Sequence, residues 1–303
     1  MKIQKYAAID IGSNAVRLLI ATVIERKGKP TIFKKTSLVR APIRLGEDVF
    51  VNKGISENNI QRLIDTIQAF ELLIKTHKVV RFRACATSAM REAKNGKEVV
   101  ERVFNNTGIR IQIIDGNDEA SIIASTDITN IILNDQAYLY VDVGGGSTEF
   151  TIFNEGKNIT SISLKIGTVR LLKGMVKESI WKEMEHWIRT ETKDFSHLSL
   201  IGSGGSINSI FKQSGLGQGK PLSYIYMSSY YDKLLNSTYE ERVVELDMNP
   251  DRADVIIHAT RIYLSAMKWS RARKIYVPKI GLSDGIVKSL YNEEKAKNLK
   301  LKP

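Results

Sequence analysis

The chain has 303 residues, more than one hydrophobic core ordinarily serves, so two domains are expected. No apolar run approaches membrane-spanning length, and Cys85 is the sole cysteine, which excludes a disulfide framework and a cysteine metal centre. The formal charge of +12, from 45 Lys+Arg against 33 Asp+Glu, suits a polyanionic partner, whether nucleic acid, acidic membrane, nucleotide or polyphosphate; it suits equally a basic surface that only keeps the protein soluble.

In chain order the first strand is expected over about Lys5–Asp10. No signal-peptide-like apolar segment precedes it, so a cytoplasmic location is expected. Strands follow at about Ala15–Ile24 and Thr31–Val39, broken by Lys27-Gly-Lys-Pro30, which suits a hairpin. Ser56 is a good N-cap for a helix whose Ile60, Leu63, Ile64, Ile67, Phe70 and Ile74 share one face. Then come a strand (Val79–Ala86), helical segments (Ser88–Asn106), a strand (Ile109–Ile114) and a helix (Asp118–Leu133). The second half restarts the same order: strands at Tyr138–Asp142, Thr148–Phe153 and Asn158–Leu164, then helices, strands at Leu198–Ile201 and Lys274–Val277, and a last helix from about Asp284.

Tyr138-Leu-Tyr-Val-Asp142-Val-Gly144 repeats Tyr6-Ala-Ala-Ile-Asp10-Ile-Gly12, each a buried-looking strand ending in Asp, an apolar residue and Gly. The match indicates a duplicated α/β domain, the alternative being chance likeness of two strand–turn–strand units. Glycine lets the backbone approach an anion closely, and successive N–H groups in a tight turn form an anion-binding concavity. Gly144, Gly145 and Gly146 supply such a loop, with Ser147 and Thr148 as hydroxyl donors; Ser13 and Asn14 serve the first loop. Gly204, Gly205 and Ser206, between a strand and a helix, make a third candidate anion site, or only a strand–helix connection. Asp10 and Asp142, at strand ends, are placed to hold Mg²⁺ directly or through water. As isolated sequences, both loops read equally as hairpins with Asp as turn former.

At these residues the chain resembles the exopolyphosphatase and guanosine pentaphosphate phosphohydrolase (Ppx/GppA) family, over essentially its whole length. Asp10-Ile-Gly-Ser-Asn-Ala-Val-Arg-Leu18 and Asp142-Val-Gly-Gly-Gly-Ser-Thr-Glu149 match its two phosphate loops. Ala86–Gly96, Gly116-Asn-Asp-Glu-Ala120, Gly202–Ser206, Arg252-Ala-Asp254 and Ser283-Asp-Gly285 match further signatures. The family's usual Arg-Glu-Gly near the end is replaced by Val287-Lys-Ser289, and the chain is similar to the short two-domain class. The resemblance implies two ribonuclease-H-like domains of the acetate and sugar kinase, heat-shock chaperone and actin superfamily, flanking a cleft. The expected division is residues 1–121 and 122–283, with the final helix, about 284–303, packing back on the first domain.

The resemblance further implies Glu119 as the general base that activates water; by position alone it reads as a helix-start acid, with Asp118 as its capping neighbour. Asp142 and Glu149 are implied to hold metal or position water, with Asp10 sharing the role, although Glu149 reads also as a solvated strand residue. Arg91 falls where the family carries a phosphate-gripping arginine, and otherwise reads as a surface arginine on a helix. Arg17, Arg40, Arg44, Arg91, Lys165, Arg170 and Arg252 are candidates for contacting a long anion. The implied activity is Mg²⁺-dependent removal of terminal phosphate from inorganic polyphosphate. Alternatives are hydrolysis of guanosine pentaphosphate, an ATP-dependent kinase of the same superfamily, and an actin-type scaffold. A membrane partner is not expected, nucleic acid has no reader motif here, and a homodimer is left open. His77, His186, His197 and His258 show no metal spacing.

Overall fold

The computed structural model describes residues 1–124, 126 and 136–300, so the distal part of the helix expected to Leu133 lies outside the described residues. The chain divides into two compact units, Met1–Thr126 with Leu282–Pro303, and Asp127–Gly281.

The first unit opens with an antiparallel meander, β1 (Lys2–Ile11), β2 (Val16–Glu25) and β3 (Ile32–Ala41). Helix α1 (Leu45–Asn52), which the hydrophobic pattern did not signal, precedes α2 (Glu57–Thr76). Ser56 caps α2, its hydroxyl accepting from the Asn59 N–H, and the apolar face foreseen from the spacing is buried. Strand β4 (Arg81–Ala86), helices α3 (Ser88–Glu92) and α4 (Gly96–Thr107), β5 (Ile111–Ile113) and α5 (Gly116–Ala124) complete the run. Strands β4 and β5 add parallel to β1, giving the order β3-β2-β1-β4-β5.

The second unit repeats the plan. Strands β6 (Ala137–Val143), β7 (Thr148–Asn154) and β8 (Lys157–Leu164) form the meander. Then follow α6 (Thr168–Leu172), α7 (Glu178–Thr192), β9 (Leu198–Ser203), α8 (Gly205–Gln213), the two-residue β10 (Leu222–Ser223), α9 (Tyr224–Leu235), α10 (Tyr239–Val244), α11 (Pro250–Ala253), α12 (Ile256–Trp269) and β11 (Lys274–Tyr276). The sheet order is β10-β11-β9-β6-β7-β8. Read from the third strand inward, both sheets run third, second, first, fourth, fifth, with β10 as an extra edge. This is the duplicated ribonuclease-H-like topology of the actin superfamily. The inner stretch of β1, Tyr6–Ile11, and most of β6 are nearly continuous apolar runs, each broken by its aspartate, because both faces are covered there.

Helix α13 (Leu282–Lys300) closes the first unit. Gln4 Nε2 and the Tyr6 hydroxyl donate to Glu294 at 3.0 and 2.9 Å, and Arg81 and Arg83 pair with Glu293 at 3.1 and 2.7 Å. Gly285 lies against α5 so closely that a Cβ there would meet the Ile122 carbonyl oxygen at 2.3 Å. Glycine is thus what allows α13 to rest on the helix that carries Glu119.

Candidate active site

Each meander makes a four-residue turn between its first two strands, and the turns share a bond: Gly12 N–H to Ala15 O at 3.1 Å, and Gly144 N–H to Ser147 O at 3.0 Å. In the second turn, the stretch after β8 takes up the loop carbonyls. Thr168 N–H donates to Gly144 O (3.0 Å), Val169 N–H to Gly145 O (2.8 Å), and the buried Arg170 donates through Nε to Gly146 O (2.6 Å). In a trans peptide the N–H points opposite to the carbonyl of the same unit. The N–H groups of Gly145, Gly146 and Ser147 therefore all point away from that stretch, three successive donors in a nest, the arrangement that suits an anion. A Cβ on Gly167 would stand 2.5 Å from backbone atoms of Gly145 and Gly146, so only glycine allows this seating.

The first turn is held likewise, by Gly46 N–H on Ser13 O at 2.8 Å and Arg44 N–H on Asn14 O at 3.1 Å, which turns the Asn14 and Ala15 N–H groups outward. Ser13 Oγ lies 2.9 Å from Ser88 Oγ, tying the turn to α3. The supporting glycines were missed in the sequence reading, yet a signal is there: Arg44-Leu-Gly46 and Lys165-Ile-Gly167 follow the third strand of each half.

The strand ends beside the two turns differ. In the second unit Asp142 and Glu149 are direct cross-strand partners, and Glu149, 2% exposed, accepts from Ser163 Oγ at 2.9 Å; it is a buried residue, not a solvated one. Two carboxylates facing each other across antiparallel strands repel. Two hard oxygen donors at a phosphate nest fit Mg²⁺, which takes one or two carboxylates and fills its remaining positions with water and phosphate oxygens. Among the described residues no group of three or more His, Cys, Asp or Glu is placed to hold a metal ion. In the first unit the cross-strand partner of the buried Asp10 is Arg17, which donates to its carboxylate at 3.0 Å. Asp10 thus already has a cation beside it.

The third glycine loop lies next to the second, because β9 pairs parallel with β6 and brings Ser203 level with Asp142. Gly204 adopts φ +109°, and Val143 O, Asp142 Oδ1 and the Tyr263 hydroxyl crowd the position a Cβ would take. The fully buried Tyr263 hydroxyl donates to Ser203 O; burial pushes its phenol well above the ordinary range, and the nearby Asp142 adds to the rise. The Arg252 guanidinium packs on Gly205, where a Cβ would come within 2.4 Å of it. A guanidinium at the N-terminus of a helix favours an anion there.

Glu119 is half-buried on the first turn of α5. The capping acid is not Asp118 but Asp115, whose Oδ1 accepts from Asp118 N–H at 2.8 Å. Arg91 Nη1 donates to Ile114 O at 2.7 Å and so anchors α3 to the chain just before α5. Burial pushes the Cys85 thiol up to about 11; Arg83 counters, while Asp10, Glu119 and Asp118 add to the rise. Asp10, Ser13, Asn14, Arg17, Arg91 and Glu119 therefore belong to the first unit, and Asp142, Gly144–Thr148, Glu149 and Gly204–Ser206 to the second.

Fold and site together define a duplicated α/β protein with a turn of outward-facing N–H groups at the same place in each half. The model of the Ppx/GppA phosphatase family matches residues 23–294, and the chain belongs to that family. It is 31% identical over 279 residues to a bifunctional 3-dehydroquinate synthase/phosphatase of Fusobacterium nucleatum, covering 84% of this chain and 42% of that protein. It is 30% identical over 169 residues to exopolyphosphatase 1 of Mycobacterium tuberculosis, covering 56% and 48%. The chain thus spans less than half the length of these curated relatives. The crystal structure of the Aquifex aeolicus member of the Ppx/GppA family superposes with a TM-score of 0.76 at 28% identity, covering 97% of this chain and 99% of that one.

Proposed function

We propose that this protein hydrolyses the terminal phosphoanhydride bond of inorganic polyphosphate. The observation that carries the reading is the outward-turned N–H row of Gly145, Gly146 and Ser147 beside the opposed carboxylates of Asp142 and Glu149. Family membership, the likeness to an exopolyphosphatase and the +12 charge support it.

The nest donates hydrogen bonds to the phosphoryl oxygens, with the Ser147 hydroxyl and the Gly204–Ser206 loop beside it; the Thr148 hydroxyl, expected as a further donor, is fully buried and donates instead to the Ile166 carbonyl at 2.5 Å, bracing the turn. Asp142 and Glu149 would hold Mg²⁺, which supplies charge neutralisation to the phosphate oxygens when bound. Phosphoryl transfer needs an in-line nucleophile and stabilisation of spread negative charge, and little else from the protein. Glu119 orients the attacking water and accepts its proton at the carboxylate. Arg91 and Arg17 provide guanidinium charge at the first loop, Arg17 being oriented by Asp10.

The test measures phosphate release from long polyphosphate and from guanosine pentaphosphate side by side, with and without Mg²⁺. Glu119→Gln is expected to lower kcat by roughly 10²–10⁴-fold with a much smaller change in substrate binding. Wild-type turnover in that variant would return Glu119 to a structural role. Faster release from guanosine pentaphosphate at physiological salt would make the nucleotide the substrate, and release from neither would end the hydrolase reading.

A further inference from the structure

The positive charge of the chain is unequally shared. The first unit holds 26 Lys+Arg against 16 Asp+Glu, a net +10; the second holds 19 against 17, a net +2. The first unit therefore carries nearly all the field that attracts a polyanion.

Within it, two helices start at the first anion-binding turn. Helix α1 begins at Leu45, with Gly46 bonded to Ser13 O; α3 begins at Ser88, whose hydroxyl meets that of Ser13. Both end at one place. Lys53, which closes α1 in the left-handed conformation (φ 64°), accepts through its carbonyl from the N–H of Lys94, just past α3, at 2.8 Å. Asn95 locks the junction with two bonds to the Ile55 backbone, receiving from its N–H at 2.9 Å and donating to its carbonyl at 2.8 Å. With its side chain so used, Asn95 makes no side-chain cap to α4, which starts at Gly96 and carries Lys97 in its first turn. Lysine in a first helical turn runs against the helix dipole. Lys53, Lys94 and Lys97 are exposed, and their side chains enter no ion pair among the described residues. Of the acids close in sequence, Glu92 ends α3 two residues before Lys94, Glu98 is directed to Arg102, and Glu101 stands four residues after Lys97 on α4.

We propose that Lys53, Lys94 and Lys97 form a distal subsite for the polyphosphate chain, and this rests on the polyphosphate reading above. The eight residues of α1 place it about 12 Å from the first turn. A chain several phosphates long reaches it; a substrate with only three or so phosphates at the turn does not. The subsite thus selects for chain length without touching the reacting phosphate.

The test compares the full chain carrying Glu119→Gln, to slow turnover, with the same chain carrying also Lys53→Gln, Lys94→Gln and Lys97→Gln. Dissociation constants are measured by calorimetry for long-chain polyphosphate and for tripolyphosphate, at several salt concentrations. The expected result is long-chain binding weaker by roughly tenfold, a salt slope shallower by about one per lysine removed, and unchanged tripolyphosphate binding. Unchanged long-chain binding would overturn the subsite, as would an equal loss for both substrates. A single-stranded oligonucleotide binding as tightly as polyphosphate, with the same sensitivity to the three substitutions, would assign the patch to nucleic acid instead. Binding is read independently of hydrolysis, so a protein that binds polyphosphate through these lysines yet never cleaves it refutes the activity and not the subsite.

Discussion

Gly167→Ala is a one-methyl perturbation aimed at the second anion-binding turn from behind. Its Cβ would lie 2.5 Å from the carbonyl carbon and oxygen of Gly145 and from the carbonyl carbon of Gly146. Ordinary contact begins near 3.4 Å, so the turn and the Ile166–Arg170 stretch must separate by about 0.9 Å. No flexible side chain is there to yield, since all three opposing atoms are backbone. Overpacking of this kind costs about 1–3 kcal/mol. For a unit of this size that lowers the melting temperature by roughly 2–12 °C. If the turn's N–H groups hold the reacting phosphate as proposed, displacing them by nearly 1 Å costs on the order of 10²-fold in rate. The expected outcome is therefore a hundredfold loss in kcat/KM for phosphate release, with a modest drop in Tm. Gly217→Ala is the control, because no atom lies within 4 Å of its Cβ position. Wild-type kcat/KM and Tm in Gly167→Ala, equal to those of the control, would refute the claim that this glycine seats the turn.

Two further outcomes follow from the same geometry. Tyr263→Phe removes the hydroxyl that donates to the buried Ser203 carbonyl and should destabilise the second unit by about 1–3 kcal/mol, read in a urea or thermal melt; an unchanged melt would show that the hydroxyl does not hold the third glycine loop. The Glu293 and Glu294 carboxyls lie partly buried, which works against ionisation, but hydrogen bonds from Arg83, Ser289, Gln4 and Tyr6 hold both below their ordinary range. Depressed folded-state values mean that this support is present above the unfolded carboxyl range and disappears as pH falls below about 4. The Tm gap between wild type and Glu293→Gln should accordingly narrow through that interval; a gap that widens in acid would contradict the assigned pairing.

Much of the fold was legible because it is written in short-range pattern. The Asp-x-Gly turns, the helical face of α2 and the recurrence of Asp10–Gly12 in Asp142–Gly144 need only neighbouring residues to be recognised. Helix α1 escaped because only Leu45, Val49 and Phe50, with Gly46, turn inward in its eight residues, too little to set a helical period. Asp118 was read as the cap because acids cluster at that helix start; which of three successive acids bonds the backbone depends on the turn entering the helix, and that is Asp115.

The amino-acid sequence by itself determined the duplicated order of strands and helices, the three glycine loops and the excess of positive charge, all of them properties of composition and local spacing. Only the tertiary structure decided what stands opposite each loop aspartate. Strand register puts Arg17 across from Asp10 and Glu149 across from Asp142, so one turn carries an ion pair and its counterpart a pair of like charges. It also decided that Gly46 and Gly167 bear on those turns, that Tyr263 reaches back to Ser203 across 60 residues, and that Lys53 and Lys94, 41 positions apart, share a backbone bond. Such relations arise when packing brings distant segments within van der Waals and hydrogen-bond range, and no local periodicity encodes which segments will meet.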